Sequence, residues 1–546
     1  MTPRPDQAAD TPDPATLADP ASVAEAPDSA DDQATRRLAL LDHAHVWHPF
    51  TPMAQWQQQP PLIIERGEGP YLFDTRGNRY IDGVSSLWCN VHGHRVPHVD
   101  RAVRQQLDRV AHTTLLGLAS PPSIELAARL IELTRRKLPA AGNPLNKVFY
   151  SDAGATAVEV AFKMAVGYWH HRGRPEKHRF IGLAGAYHGD TVGSMSVGYS
   201  DLFHRAFSSM VFPVDWFPAP DACRPPADLP PPGPAVGRPC DQDVADRLWP
   251  SEDPGLNARL ADHCLTQLEA LLQRQADRTA AIVIEPIMQG AAGMVCQPPG
   301  FLRRVAELAR RHDVLLIADE VAVGFGRTGA MLACEHELAD QPTGPDILCL
   351  AKGLSAGYLP LAVTLTSDAI FDAFTGRPEE RKTLYHGHTY TGNPLACAAA
   401  LAGLDLFDQP THGQPDLLQH IQASAQLMRS ALQPLRDCPH VHDIRQRGTM
   451  VGIELVTDAG SPPGAGSEDG SGGHSGAGDT DAAEAFDFSQ PVGQRLCHAL
   501  RSRGVIVRPL GNVIVLMPIC ATPPDVLRRL VDEVVDMILA GPGAWG

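Results

Sequence analysis

The sequence predicts an α/β fold: a large domain on a mostly parallel sheet, joined to a smaller α+β domain. Three observations carry this. Six short apolar runs, KVFYS, RFIGL, AIVIEP, VLLIAD, ILCLA and LAVTLT, alternate with helical patterns, and strands alternating with helices imply a parallel sheet. Two of the runs end on one ionisable residue each, VLLIA at Asp319 and ILCLA at Lys352; open α/β sheets place ligands at the carboxyl ends of their strands. Towards the C-terminus GTMVGIEL, GVIVRP and NVIVLMP read as strands and PDVLRRLVDEVVDMIL as an amphipathic helix, which makes a second, α+β unit.

Taken in order, residues 1–35 hold eight acidic residues, one arginine and almost no large apolar side chain. They read as a disordered acidic tail; a transit peptide would be Arg-rich and acid-poor. Residues 36–96 read as an N-terminal lobe contributing to the smaller domain, with strand-like PLIIERG and PYLFDTRGNRYID and a turn at DTRGN. A helix over Val99–Val110 follows. Residues 97–408 form the large α/β domain, interrupted by a Pro-rich insertion at 218–254 whose proline density suits the surface and not a packed element. Residues 417–546 form the C-terminal α+β domain, broken by a Gly/Ser-rich loop at 459–481.

The chain has 546 residues and a net charge of −17, which argues against nucleic acid or an anionic membrane as partner. No apolar run approaches membrane-spanning length, and no apolar segment marks a secretory signal. Eleven scattered cysteines without a CxxC pair imply reduced thiols and a cytoplasmic location. Four H-x-H pairs lack the Cys or carboxylate that would complete a ligand set, so no metal is expected.

A carboxylate and an amine at neighbouring strand ends are costly to bury without a shared task. Pyridoxal phosphate supplies one. Lys352 would form a Schiff base with the aldehyde, and Asp319 would keep the pyridine nitrogen protonated. The phosphate needs backbone N–H groups at a helix start, which SDAGATAVEVAFKMAV offers at Gly154, Ala155 and Thr156. Ala155 brings no hydroxyl, so Thr156 or the main chain must serve. Glu320 follows Asp319 on the other side of the pleat and reads as a salt-bridge residue; Glu285, ending AIVIEP, reads equally as a capping or an orienting carboxylate.

LLIADEVAVGFGRTG followed by PDILCLAKGLSAG closely resembles the signature of class III (ω-type) aminotransferases, and the resemblance runs from about His45 to Pro518. It implies a PLP-dependent transferase of fold type I, like aspartate aminotransferase. Within that family WHPF, SSLW, GDTVGSMSVG and VRPLGNVIVLMP resemble the biotin-pathway branch, which aminates 8-amino-7-oxononanoate to 7,8-diaminononanoate. Its donor is S-adenosyl-L-methionine, with lysine as the alternative. Another ω-amino acid transaminase or an aminomutase is the second reading. YHGDTVGSMS resembles the segment whose aromatic, here Tyr187, stacks on the cofactor. HGHTYTGNP resembles the segment that reaches into the neighbouring subunit, where His388 and Thr389 hold the partner's phosphate and Gly387 meets substrate; this implies a homodimer with shared sites. Arg508 matches an arginine that clamps the oxo-acid carboxylate, with Arg327 as a second candidate. Phe50, Leu87 and Trp88 match the substrate channel. Three positions depart from the adenosylmethionine-using pattern: Phe50 stands for tyrosine, Leu87 for an aromatic and Val515 for a tyrosine, which leaves the donor open between the two.

Overall fold

The computed structural model describes residues 30–229, 250–456 and 491–545. The Gly/Ser-rich stretch 459–481 therefore lies outside the described residues, as do residues 1–29 and the middle of the Pro-rich tract. The chain divides into two compact units, residues 1–65 with 74–77, and residues 66–73 with 78–546.

In the first unit, the tail reading extends too far. Residues 30–35 are the opening turns of a helix, Ala30–His45. Polar contacts hold it where apolar content is low: Thr35 Oγ1 donates to Thr75 Oγ1 at 2.8 Å and Arg76 pairs with Asp32 at 3.2 Å. Thr75 lies in the expected turn, where Gly77 adopts φ +81 and its N–H donates to the Asp74 carbonyl. Asp42 binds both His48 and Trp56, at 2.8 and 2.7 Å, and so fixes the WHPF segment.

The second unit is built on a seven-stranded sheet. Its order is Leu145–Ser151, Ala362–Ser367, Ile347–Leu350, Leu315–Asp319, Thr279–Ile284, Arg179–Leu183, Asp215–Phe217. The last four neighbouring pairs are parallel, while Ala362–Ser367 runs antiparallel to both its neighbours. All six apolar runs are strands; the three-residue edge strand Asp215–Phe217 was too short to read. Every residue of the central strands is buried, which is why they are continuously apolar and do not alternate. Successive residues still serve opposite layers. Leu315 and Ile317 pack with helix Gly154–His171 through Val158, Ala161 and Ala165, whereas Leu316 and Ala318 pack with helix Phe301–Arg311 through Phe301, Val305 and Ala309.

A second, antiparallel sheet has the order Val441–Arg447, Met450–Leu455, Val513–Leu516, Arg508–Leu510. Helices Val492–Arg501 and Pro524–Leu539 cover it with Leu496, Leu500, Leu530 and Val534. GVIVRP is divided: Val505–Ile506 pairs in parallel with Ile81 and Asp82, and Arg508–Leu510 joins the antiparallel sheet. Val441–Arg447 escaped the sequence reading because its buried side chains are charged. Arg445 and Asp443 pair in the interior, Arg445 also binds Glu454, and Arg224 reaches Glu454 as well. Ser251 donates to Asp443 at 3.0 Å. The described ends of the Pro-rich tract are thus tied into this network, and the reading of 218–254 as a plain surface insertion is corrected there.

Between the first two strands of that sheet, Gly448 has φ +56 and lies against the loop that carries Arg327; a Cβ would overlap the Arg327 carbonyl oxygen. Gly448→Ala is expected to destabilise the protein by about 2–4 kcal/mol, from left-handed strain plus overpacking. Calorimetry should show a melting temperature lower by several degrees with secondary structure retained.

Candidate active site

A cavity of about 700 Å³ opens where the strands Leu315–Asp319 and Ile347–Leu350 end. Parallel pairing with Asp319 opposite Cys349 sets the two strand ends side by side. Asp319 is buried, accepts the Val321 N–H at 3.0 Å and lies 2.7 Å from Nδ1 of His188. Burial alone would drive the His188 imidazole down, yet Asp319 beside it holds its pKa above the ordinary value. The pair is therefore a charge-assisted hydrogen bond that leaves one face of the carboxylate to the cavity.

Lys352 begins the turn Lys352–Ser355 and is held at φ +41, a conformation that costs a non-glycine residue of order 1–3 kcal/mol. Its amine lies 5.4 Å from the centre of the Trp88 ring. Burial lowers its pKa, with Asp319 and Glu285 opposing, so it sheds its proton more readily than a free lysine. Glu285 accepts the N–H groups of Tyr187 and Gly290, both at 3.0 Å. Burial pushes its carboxyl up to about 7.

Helix Gly154–His171 points its first turn at the same cavity, lined there by Ala153, Gly154 and Ala155. The first N–H groups of a helix lack intrahelical partners. A Cβ on Gly154 would stand 2.5 Å from Val321, and one on Gly189 would overlap Ala155; only glycines allow this close a wall. Tyr187 lines the opposite side, its hydroxyl donating to Asp190 at 2.8 Å. Trp88 closes a strained turn in which Ser85, Ser86 and Trp88 all have positive φ. Asp82 holds that turn through Ser86 N–H, and buried Arg327 donates to Ser85 Oγ, the Asn90 carbonyl and the Pro518 carbonyl.

The profile of the family described as Aminotransferase class-III matches residues 52–538. The chain belongs to the class III aminotransferases. Adenosylmethionine-8-amino-7-oxononanoate aminotransferase of Geobacter sulfurreducens is 44% identical over 92% of this chain and 97% of its own length. The protein of the same name from Nitratidesulfovibrio vulgaris is 46% identical, covering 93% and 82%. Among solved structures, the one of that name from Methanocaldococcus jannaschii superposes with a TM-score of 0.77 at 38% identity, over 93% and 99% of the two chains. A PLP-bound amine transaminase from an uncultivated Pseudomonas species gives 0.75 at 32%, over 91% and 98%. The aminotransferase is thus of fold type I, and its cofactor is pyridoxal phosphate. The cavity fits that group: an amine of lowered pKa and a buried carboxylate at one end, a glycine-walled helix start at the other.

Of the residues expected from sequence, the structure brings Trp88, Gly154, Ala155, Tyr187, Asp319 and Lys352 into this cavity. It does not bring Thr156, Leu87, Gly387, His388, Thr389 or Arg508 into its lining. Thr156 spends its hydroxyl on the Ala153 carbonyl at 2.7 Å, which leaves the main chain to replace the missing side-chain donor. His388 comes within 3.6 Å of Asp152, a lining residue. Gly387 and Thr389 beside it are exposed, as are Leu87 and Arg508, while Val515 is fully buried. Phe50 belongs to the first unit and is exposed. Arg327 is excluded as a carboxylate clamp because main-chain oxygens and Ser85 occupy its terminal nitrogens. Glu320 forms no salt bridge among the described residues; it accepts the N–H groups of Ala333 and Cys334 at 2.6 and 2.8 Å. Sequence reasoning left His188 without a role, although its place directly after the expected ring-stacking tyrosine was the available signal.

Burial pushes the Glu320 carboxyl up to about 7, against the two N–H groups that pull it down. The folded protein then binds a proton that the unfolded chain releases near pH 4.5. This contribution is complete below that pH and is lost as pH rises through about 7, on the order of 3 kcal/mol in all. The slope of stability against pH between 5 and 7, measured by denaturant titration, should flatten in Glu320→Gln.

Proposed function

We propose that this aminotransferase converts 8-amino-7-oxononanoate to 7,8-diaminononanoate in biotin synthesis, with S-adenosyl-L-methionine as the amino donor. The observation that carries this is full-length similarity, at 38–46% identity, to proteins bearing the name of that activity. Pyridoxal phosphate, when bound, supplies the electron sink for transamination. This chain's residues do the rest. Lys352 would hold the cofactor through its amine, and the amine, when free, would serve as the proton-transfer base at the substrate carbon. Asp319 would face the ring nitrogen of the cofactor, and His188 orients that carboxylate through its hydrogen bond. The N–H groups of Gly154 and Ala155 take the phosphate. Tyr187 offers its ring face, fixed by Asp190, and Trp88 walls the substrate side.

A second reading, an ω-amino acid transaminase that uses another donor, rests on Phe50, Leu87 and Val515, where the expected hydroxyls and aromatic are missing. Arg508 remains the proposed clamp for the oxo-acid carboxylate; as an exposed arginine it suits an anion arriving from solvent.

The working form we propose is a homodimer with shared sites. Support comes from one face on which Leu116, Leu118, Tyr385 and Tyr390 are all more than half exposed. Their segments are packed together, since His112 lies against the Tyr390 ring and a Cβ on Gly392 would touch Leu115. A patch of this kind is costly on a monomer. Gly387, His388 and Thr389 sit in the same segment and would serve the partner's phosphate and substrate. The cytoplasm is the proposed location, in line with ten free cysteines among the described residues; none of the described helices is long and apolar enough to cross a membrane. The domain division we propose takes 97–408 as the cofactor-binding part, with 36–96 and 417–546 as the smaller part, in line with the pairing of Val505–Ile506 on Ile81–Asp82.

Lys352→Ala should lose the visible absorbance of attached cofactor, and borohydride should no longer fix the cofactor to the chain. Asp319→Asn should retain bound cofactor but turn over roughly a hundredfold more slowly or worse. Near-normal turnover in either variant contradicts the assigned role.

The donor is decided by steady-state kinetics with purified adenosylmethionine and lysine. Arg508→Ala should raise the KM for the oxo-acid and leave that for the donor almost unchanged. Phe50→Tyr should improve use of adenosylmethionine and not of lysine. Turnover with lysine alone would replace the proposed donor.

A further inference from the structure

A second cavity, of about 830 Å³, shares no lining residue with the first. Helices Pro254–Gln275 and Leu417–Ala431 border it, together with the strand Val441–Arg447 and the Pro298–Pro299 segment. Four arginines line it, Arg304, Arg429, Arg436 and Arg447, against two carboxylates, Glu252 and Asp262. Asp262 takes Arg304 at 2.7 Å, and Glu252 lies between Arg436 at 3.2 Å and Arg429 at 3.5 Å. Arg447 ends its strand half-buried and makes no hydrogen bond or ion pair among the described residues.

That guanidinium has given up part of its hydration without a counter-charge, which is unfavourable. The chain as a whole is strongly acidic, so a cavity rich in arginine is a local arrangement and not a reflection of composition. Low-dielectric walls of one sign concentrate ions of the other. The planar donor fork of arginine matches a carboxylate or phosphate with two parallel hydrogen bonds. We infer that this cavity binds a small oxyanion, a carboxylate or a phosphate, with Arg447 as its main partner and Arg429 at the rim. Such an anion would bridge the helix Leu417–Ala431, which carries Arg429, to the strand Val441–Arg447.

The experiment is calorimetric titration of the holoenzyme, whose first site already holds its cofactor, with inorganic phosphate and separately with glutarate. Saturable binding of at least one anion is expected. Arg447→Gln should weaken it at least tenfold while turnover without added anion stays at the wild-type level. Ala258→Glu, which sets a negative charge on an exposed helix position of the lining, should weaken it likewise. Binding of phosphate alone assigns a phosphate ligand, of glutarate alone a carboxylate ligand, and of both a general oxyanion site. Absence of binding, or binding that both variants leave unchanged, overturns the inference; an unchanged signal would belong to the substrate site.

Discussion

The buried pair of Asp319 and His188 is the constraint on which the rest of the site depends. A carboxylate at the end of an interior strand is tolerable only with partners, and Asp319 has two kinds: the Val321 N–H and the His188 imidazole. The imidazole lines the cavity beside it and holds the carboxylate in place through a 2.7 Å hydrogen bond. Glu285 and Lys352 complete the balance. Burial raises the first and lowers the second, so both groups lean towards neutrality. One cause, burial, thus moves a carboxyl and an amine in opposite directions, a perturbation typical of functional sites.

Much of this was legible in the sequence. Parallel, fully buried strands appear as unbroken apolar runs, so their ends can be located, and Asp319 and Lys352 stood out as the ionisable residues terminating two of them. The helix start that lines the cavity was legible through Gly154. What was not legible depends on contacts between distant segments. Thr156 looked like a phosphate donor, but a hydroxyl two residues into a helix finds the carbonyl three residues back. Val441–Arg447 did not read as a strand because hydropathy cannot distinguish buried, mutually paired Asp443, Arg445 and Glu454 from surface charge. Arg508 and Leu87 are exposed, and hydropathy does not tell an exposed position from one that lines a cavity.

Strain is concentrated where the site must be rigid. Lys352 and the Ser85–Trp88 turn both hold non-glycine residues in the left-handed region, and the turn is fastened by buried polar contacts. Asp82 takes the Ser86 N–H, and Arg327 joins Ser85 and Asn90 of that stretch to Pro518. An arginine spent on main-chain oxygens cannot read a substrate, but it fixes the wall formed by Trp88. Gly448 is part of the same fastening, because the loop carrying Arg327 approaches too closely for any side chain at that position.

The two cavities are not structurally independent. Gly290 donates to Glu285 in the first, and Gln297 donates to the Glu285 carbonyl at 2.6 Å. Between those residues runs the hairpin of Met288–Gln289 and Val295–Cys296. Cys296 lines the second cavity, and the Gly293 carbonyl accepts Arg445 Nε at 2.9 Å. One short hairpin therefore joins the carboxylate beside the reactive lysine to the charged strand of the small sheet. The paired charges of Asp443, Arg445 and Glu454 tie that strand to its neighbour Met450–Leu455.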